Sequence, residues 1–130
     1  MKIVTTNKAP SAIGPYSQAM KVGDMVYTSG QISLTPDGEL IDGDIHDQTR
    51  QVLTNLQNVL EAAGSSMGQV IKTTIYLTDM DDFIPVNTVY AEFFTKNLPA
   101  RSTVAVKTLP KNVKVEIEAI AVASEQGYSF

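Results

Sequence analysis

The sequence predicts an α+β domain in which two helices cover one face of a β-sheet. Apolar residues recur at three- and four-residue steps over residues 45–63, which indicates an amphipathic helix, and a similar pattern begins near residue 82. The remaining apolar segments are short and rich in β-forming residues, so the predicted order is β-β-β-α-β-α-β-β. A helix with one apolar stripe must bury it against another element, and the sheet is the available partner.

Three short strands are predicted ahead of the first helix: residues 2–5, 17–22 and 25–32. Prolines and glycines over residues 9–16 make the approach to the second strand irregular, and Gly23-Asp24 forms a turn after it. The third strand is interrupted by Ser29-Gly30, which indicates a bulge or a close approach of the backbone to another group.

Both predicted helices have residues at their ends that favour starting or stopping a helix. Asp44 is a good N-cap for the first helix, and Gly64 suits the left-handed position that follows its last turn. Asp81 or Asp82 can cap the second helix, which is expected to end near residue 96.

Three further strands are predicted: residues 70–78, 103–107 and 113–123. One face of the last strand is apolar along its whole length, whereas the other begins with charged residues and ends with Ile120 and Val122. Because two helices can cover only one face of the sheet, Ile120 and Val122 need a different cover. We therefore expect another subunit to bind there.

Composition narrows the class of protein. A chain of 130 residues fits a single domain, residues 1–130, and its net charge of −4 disfavours nucleic-acid binding. There is no cysteine and one histidine, His46, so thiol chemistry, disulfides and His-rich metal sites are excluded. The start does not resemble a signal peptide and no apolar run is long enough to span a membrane, so we expect a soluble cytoplasmic protein.

Two charged residues lie in or beside predicted strands. Arg101 can offer its planar guanidinium to a carboxylate in bidentate geometry, or it can be a surface arginine or a structural ion-pair partner. Glu116 lies in an apolar frame, where burial would raise its pKa and suit it to proton transfer or to holding a water. Alternatively, Glu116 and Glu118 share a solvated sheet face.

Other polar residues also have two interpretations. Asn87 is either a ligand-binding amide on the inner side of the second helix or a buried amide that fixes the helix. Tyr16 follows a glycine–proline pair and is either a rigidly presented aromatic group or a core tyrosine. Ser29-Gly30 approaches either a ligand or only another strand.

Several segments together resemble the signature of the RidA family, also called the YjgF/YER057c/UK114 family or the reactive intermediate deaminases. The segments are AIGPYSQ (12–18), TSGQ (28–31), VNTVY (86–90), PARSTVAV (99–106) with LP (109–110), and VEIEAIA (115–121). The match runs in order from about Pro10 to Val122, and residues 124–130 lie outside it.

The resemblance implies a chorismate-mutase-like fold, a mixed sheet with two helices on one face, assembled as a homotrimer. The three sheets would line a central β-barrel, and the sites would lie in clefts between subunits. The implied activity is hydrolysis of 2-imino acids or their enamine tautomers, such as 2-aminoacrylate, 2-iminopropanoate and 2-iminobutanoate, to 2-oxo acids and ammonia. No cofactor or metal is implied.

The resemblance also gives the candidate residues roles. Arg101 matches the arginine that binds the substrate carboxylate, and Glu116 matches the glutamate that positions or activates water and carries a proton. Five further positions are expected to line the substrate cleft: Tyr16, Ser29, Gly30, Asn87 and Thr103. Many relatives have cysteine in place of Thr103, so a thiol-dependent role cannot transfer to this chain.

Two other functions compete with deamination. The first is a non-catalytic regulator that holds a 2-oxo acid or another carboxylate in the same cleft, because a fold does not fix a function. The second is RNA cleavage or inhibition of translation, which is attributed to some relatives. The acidic charge balance and the single histidine disfavour this second alternative.

Overall fold

A six-stranded mixed sheet forms the framework of the protein in a computed structural model that describes residues 1–123. Its strands, in chain order, are β1 (Lys2–Val4), β2 (Ala19–Val22), β3 (Met25–Thr28), β4 (Val70–Leu77), β5 (Ala100–Ala105) and β6 (Val115–Val122). Their spatial order is β1-β2-β3-β6-β4-β5. The β4–β5 pair is parallel and the other pairs are antiparallel. The segment 124–130 beyond the family resemblance lies outside the described residues.

The first helix, α1 (Ile45–Ala62), has the ends that the sequence predicts. The Asp44 side chain accepts a hydrogen bond of 2.6 Å from the backbone N–H of His46, and Gly64 has a φ of +82°. The predicted stripe is buried: Thr49, Val52, Leu53, Leu56, Val59 and Leu60. Burying this stripe against the sheet and the second helix creates the core.

The second helix, α2 (Phe83–Phe93), is shorter than predicted and begins differently. A single 3-10 turn over Met80–Asp82 precedes it, and the Asp79 side chain, rather than that of Asp81 or Asp82, accepts the capping hydrogen bond. The expected end near residue 96 is wrong. Asn97 instead donates hydrogen bonds to the backbone carbonyls of Met67, in the turn before β4, and of Val70, the first residue of β4, and these bonds draw the chain away from the helix axis.

Several strand boundaries also differ from the predictions. β5 begins at Ala100 rather than at residue 103, so Arg101 lies inside the strand and pairs with Thr73 of β4. β3 ends at Thr28, where the N–H of Ala119 in β6 donates to the Thr28 hydroxyl and not to a backbone carbonyl, and Gln31 then forms an isolated bridge with Ile117. β2 and β6 each start two residues later than predicted.

The two faces of the sheet have different environments. The face that α1 and α2 cover, here called the helix face, carries Ile75 and Ile117, both nearly fully buried. On the opposite face, here called the open face, Tyr27 and Val104 are 47% and 42% exposed. Val122 is only 8% exposed, so the prediction that it needs cover from another subunit was wrong. Because Tyr27 and Val104 are exposed, we still expect a partner on the open face.

Neither α-helix within the described part of the chain has the length and apolarity required to cross a lipid bilayer. His46 is largely exposed, as expected from its position away from the apolar stripe, and its Nδ1 lies 2.8 Å from the Asp44 carboxylate.

Candidate active site

The predicted site residues divide between two cavities of the single chain. One, here called the Glu116 cavity, has a volume of about 570 Å³ and contains Tyr16, Ser29, Gly30 and Glu116. The other, here called the Arg101 cavity, has a volume of about 550 Å³ and contains Asn87 and Arg101. Both volumes suit a small molecule. The chain alone therefore separates the two residues that are expected to perform the chemistry.

Strand register explains this separation. Glu116 pairs with Tyr76 and Arg101 pairs with Thr73, three residues earlier on β4. Because side chains alternate along a strand and paired residues share a face, an odd spacing places the two residues on opposite faces. Arg101 lies on the helix face and Glu116 on the open face. The sheet of one subunit stands between its own guanidinium and its own carboxylate.

The Glu116 carboxylate packs against the backbone of Gly30. A Cβ at position 30 would overlap the Glu116 carboxylate, so any residue other than glycine would force that side chain to move. The Glu116 carboxylate forms no ion pair and accepts no hydrogen bond from the rest of residues 1–123. Burial raises the pKa of its carboxyl group, and the negative charge of Glu118 raises it further. This arrangement suits Glu116 to exchange a proton with a bound molecule.

A second carboxylate on the open face is hydrogen-bonded. The Tyr76 hydroxyl donates to Glu118 at 2.8 Å, and this hydrogen bond, with burial, raises the pKa of Tyr76. Glu118 therefore has a donor that Glu116 lacks. Periodicity could not distinguish these two residues, because both belong to the same face of β6. The family resemblance favours Glu116, and in the structure Glu116 is the one that lines the cavity.

Ser29 and Gln18 build the wall of the Glu116 cavity. The Ser29 hydroxyl donates to the backbone carbonyl of Ser17, so it can offer a ligand only its lone pairs. The buried Gln18 side chain donates to the carbonyls of Thr6 and Pro10 and accepts from the N–H of Thr6. These bonds fix the irregular segment that leads to the cavity. Gln18 was not predicted as a site residue, because the only indication of its role was its position at the end of the AIGPYSQ segment (12–18).

Tyr16 and Lys111 lie at the border of the same cavity. Tyr16 is 54% exposed, so it is a presented aromatic group and not a core tyrosine. Lys111 has a φ of +56°, in the left-handed region that residues with a Cβ rarely adopt. Lys111 was not predicted as a site residue, because a lysine in the sequence gives no indication that its backbone adopts a left-handed conformation.

The Arg101 guanidinium lies over two aromatic rings of α2. Its Cζ is 4.9 Å from the ring centroid of Tyr90 and 5.5 Å from that of Phe83. No carboxylate in the described part of the chain forms an ion pair with Arg101, and the interpretation as a structural ion-pair partner is therefore wrong. A cation–π contact does not use the guanidinium N–H groups in hydrogen bonds to an acceptor oxygen, so these groups remain available to an anion.

Asn87 and Thr103 lie near Arg101. Asn87 is half-buried on α2 and lines the Arg101 cavity, where its amide has no hydrogen-bond partner from residues 1–123. Thr103 shares the helix face with Arg101 but does not line this cavity, and its buried hydroxyl is also unpartnered among the described residues. Within residues 1–123, no group of three or more His, Cys, Asp or Glu side chains is arranged to hold a metal ion.

A family model described as Endoribonuclease L-PSP matches residues 6–123. A protein of Escherichia coli K12 named 2-iminobutanoate/2-iminopropanoate deaminase is 48% identical over 124 residues, which cover 93% of this chain and 97% of that protein. This chain belongs to the RidA family. The RutC family protein PH0854 of Pyrococcus horikoshii is 54% identical over 92% of this chain and 96% of its own length.

Solved structures of RidA family members have the same fold. The crystal structure of E. coli TdcF with bound serine is 49% identical, covers 95% of this chain and 100% of its own, and has a TM-score of 0.91. The YjgF gene product of E. coli is 48% identical with the same coverage and TM-score. These likenesses confirm the predicted α+β sheet with two helices.

Proposed function

We propose that this RidA family member is a cytoplasmic homotrimeric deaminase that hydrolyses 2-imino acids to 2-oxo acids and ammonia. Each site would combine Arg101 of one subunit with Glu116 of its neighbour. One observation carries the proposal: within residues 1–123 of each chain, the Arg101 guanidinium has no carboxylate partner and the half-buried Glu116 carboxylate has no hydrogen-bond donor, and the two groups lie on opposite faces of one sheet. A second copy that joins the Arg101 cavity to the Glu116 cavity would bring both groups to one substrate.

The exposed apolar residues support this assembly. Ile13 and Tyr16 border the Glu116 cavity and are 78% and 54% exposed, while Leu98 borders the Arg101 cavity and is 79% exposed. Surfaces of this kind at a functional cavity are typical of subunit interfaces. A head-to-tail interface repeated three times closes a ring and generates three equivalent sites.

The reaction needs few groups. Arg101 binds the substrate carboxylate through its free N–H edge and orients the iminium carbon. The oxygen of a water bonds to that carbon while Glu116 accepts a proton from the water. Glu116 then returns the proton to the nitrogen. The carbon–nitrogen bond breaks and releases ammonia, while the hydroxyl group on the same carbon gives its proton to the Glu116 carboxylate and becomes the carbonyl of the 2-oxo acid. The raised pKa of Glu116 suits a group that both accepts and donates a proton.

The comparisons support the same substrate class. Relatives from E. coli and mouse are named 2-iminobutanoate/2-iminopropanoate deaminase, and the E. coli TdcF crystal structure has bound serine, a small amino acid with a carboxylate. The family model carries an endoribonuclease description, but each cavity contains one basic side chain, Lys111 or Arg101, and the chain has a net charge of −4. That charge distribution is poor for binding RNA.

An assay with substrate made in place tests the proposal. A threonine dehydratase in excess generates 2-iminobutanoate, so imine hydrolysis limits the appearance of 2-oxobutanoate. The protein is expected to accelerate this step above the spontaneous rate. Calorimetry with 2-oxobutanoate separates the alternatives: binding without acceleration identifies a non-catalytic carboxylate binder, and the absence of both contradicts the proposal.

Gly30→Ala is expected to reduce activity strongly, because the new Cβ would displace the Glu116 carboxylate from its position beside the backbone. Overpacking of this kind costs about 1–3 kcal/mol. The measurements are kcat for imine hydrolysis and the thermal unfolding midpoint. Gly43→Ala is the matched control, since a Cβ there meets no atom within 4 Å, and it should leave both values unchanged. Equal effects of the two variants would contradict the proposed contact.

Glu118→Gln is expected to move the acidic limb of the pH–rate profile to lower pH. The negative charge of Glu118 raises the pKa of Glu116, so its removal lowers that pKa and Glu116 remains ionised in more acidic solution. The measurement is the apparent pKa of kcat/KM between about pH 4 and pH 8. A limb that stays in place or moves to higher pH would contradict the conclusion that the charge of Glu118 raises the pKa of the catalytic carboxyl group.

A further inference from the structure

The side chain of Tyr90 is held at both of its ends. Its hydroxyl shares a hydrogen bond of 2.8 Å with the hydroxyl of Thr73, which is fully buried on β4. Its ring packs against Phe94 with centroids 4.5 Å apart, and only 7% of Tyr90 is exposed. A ring fixed in this way has little freedom to rotate or tilt, so it can serve as a rigid surface for a neighbouring group.

Arg101 is the group that uses this surface. Thr73 pairs directly with Arg101 across the parallel β4–β5 ladder, so the hydroxyl that anchors the ring and the arginine that contacts it start from adjacent backbone positions. Phe83 lies seven residues before Tyr90 on the same side of α2, and both rings lie within 5.5 Å of the Arg101 Cζ. β5 is at the edge of the sheet and its residues are largely exposed, so the backbone alone would leave this side chain free.

We propose that Tyr90, anchored by Thr73 and assisted by Phe83, is a positioning residue that fixes the Arg101 guanidinium for carboxylate binding. The aromatic faces restrict the guanidinium plane and leave its N–H edge directed at the ligand, so less side-chain entropy is lost when the carboxylate binds. Burial raises the pKa of the Tyr90 hydroxyl, while the Thr73 hydrogen bond and the nearby positive charge of Arg101 act in the opposite direction. The expected effect of Tyr90 on imine hydrolysis rests on the proposed function, whereas the contact between the Tyr90 ring and Arg101 does not.

The composition offers a direct test of the contact. Arg50 and Arg101 are the only two arginines in the chain. In a ¹⁵N-labelled sample of the full protein, the Arg101 Nε–H proton should be shielded by the ring currents of Tyr90 and Phe83 relative to that of Arg50. Tyr90→Leu should remove most of this shielding, and Tyr90→Phe should retain it. Arg50 is the internal reference, because it is bound to Glu92 of α2 and would report a general disturbance of that helix.

Carboxylate affinity provides the functional readout. Tyr90→Leu should raise the Kd for 2-oxobutanoate, and the KM for the imine, by about threefold to tenfold with little change in kcat, because uniform binding is lost. Thr73→Val should produce a smaller rise in the same direction. In an Arg101→Ala background, the Tyr90→Leu substitution should have no further effect on Kd. If Tyr90 had a merely structural role, its substitution would weaken binding whether or not Arg101 is present. Phe83→Leu, at a less buried ring, provides a milder variant if Tyr90→Leu folds poorly.

Two results would overturn the inference. The first is an Arg101 signal that is unchanged by Tyr90→Leu and Phe83→Leu, or that moves only together with the Arg50 signal. The second is a Kd effect of Tyr90→Leu that is the same with and without Arg101. Neither depends on turnover. If the protein binds carboxylates but does not accelerate imine hydrolysis, the proposed function fails while the positioning role of Tyr90 stands.

Discussion

Arg101→Ala is expected to lower kcat/KM for 2-iminobutanoate by about 30-fold to several thousand-fold, equivalent to about 2–5 kcal/mol. The guanidinium is the only basic group that lines the Arg101 cavity, and no carboxylate among residues 1–123 neutralises it. Removing it leaves the substrate carboxylate unpaired in a partly desolvated cleft. The dehydratase-coupled assay measures the kinetic loss, and calorimetry with 2-oxobutanoate should show a parallel loss of affinity.

Arg50→Ala is the matched control for this variant. Arg50 forms a surface ion pair with Glu92 at 3.0 Å, and its side chain is 46% exposed. Surface pairs of this kind contribute about 0–1 kcal/mol, so activity and carboxylate affinity should stay close to those of the unmodified protein. Full activity of Arg101→Ala would remove the proposed carboxylate site, and an equal loss in both variants would point to a general effect of charge.

The elements that could be predicted from the sequence are those that depend on local patterns. The stripe of α1 and its two end residues are local features, and the structure places the helix within one residue of the predicted bounds. The start of α2 was predicted less well because a 3-10 turn precedes it. Asp82 occupies the N-cap position of α2 as expected, but its side chain makes no capping hydrogen bond, and Asp79 caps the 3-10 turn instead. The early start of β5 depends on parallel pairing with β4, which no local pattern reports.

The arrangement of the site depends on contacts between distant segments. Arg101 and Glu116 could be selected as chemically suited residues, but their placement on opposite faces follows from the register of two strands with β4. The contact of Gly30 with Glu116 joins positions far apart in the chain. Tyr90 and Phe83 lie against Arg101, a contact that could not be predicted, because periodicity identifies which face of a helix is buried and does not identify the cation that lies against it.

Glu116→Gln is expected to lower kcat by about 10²–10⁴, the usual contribution of a positioned proton-transfer group. Glutamine keeps the shape that packs against Gly30 but cannot accept a proton from water. The Kd for 2-oxobutanoate should change little, because Arg101 supplies the carboxylate contact. Glu61→Gln, at an exposed position of α1, is the control and should leave kcat unchanged. A loss of affinity without a loss of kcat would assign Glu116 to binding and not to catalysis.

Mixing the two inactive variants tests whether each site is shared. In the proposed ring of three subunits, each site takes Arg101 from one subunit and Glu116 from the next. In the mixture, a site is intact only where an E116Q subunit supplies the arginine and an R101A subunit supplies the glutamate. Random co-assembly in equal amounts makes about one site in four intact, so co-refolded protein should recover about a quarter of the unmodified activity. A site within a single subunit would give no recovery, because every subunit in the mixture lacks one of the two groups. Such a result would contradict the shared site that the placement of Arg101 and Glu116 on opposite faces of the sheet supports.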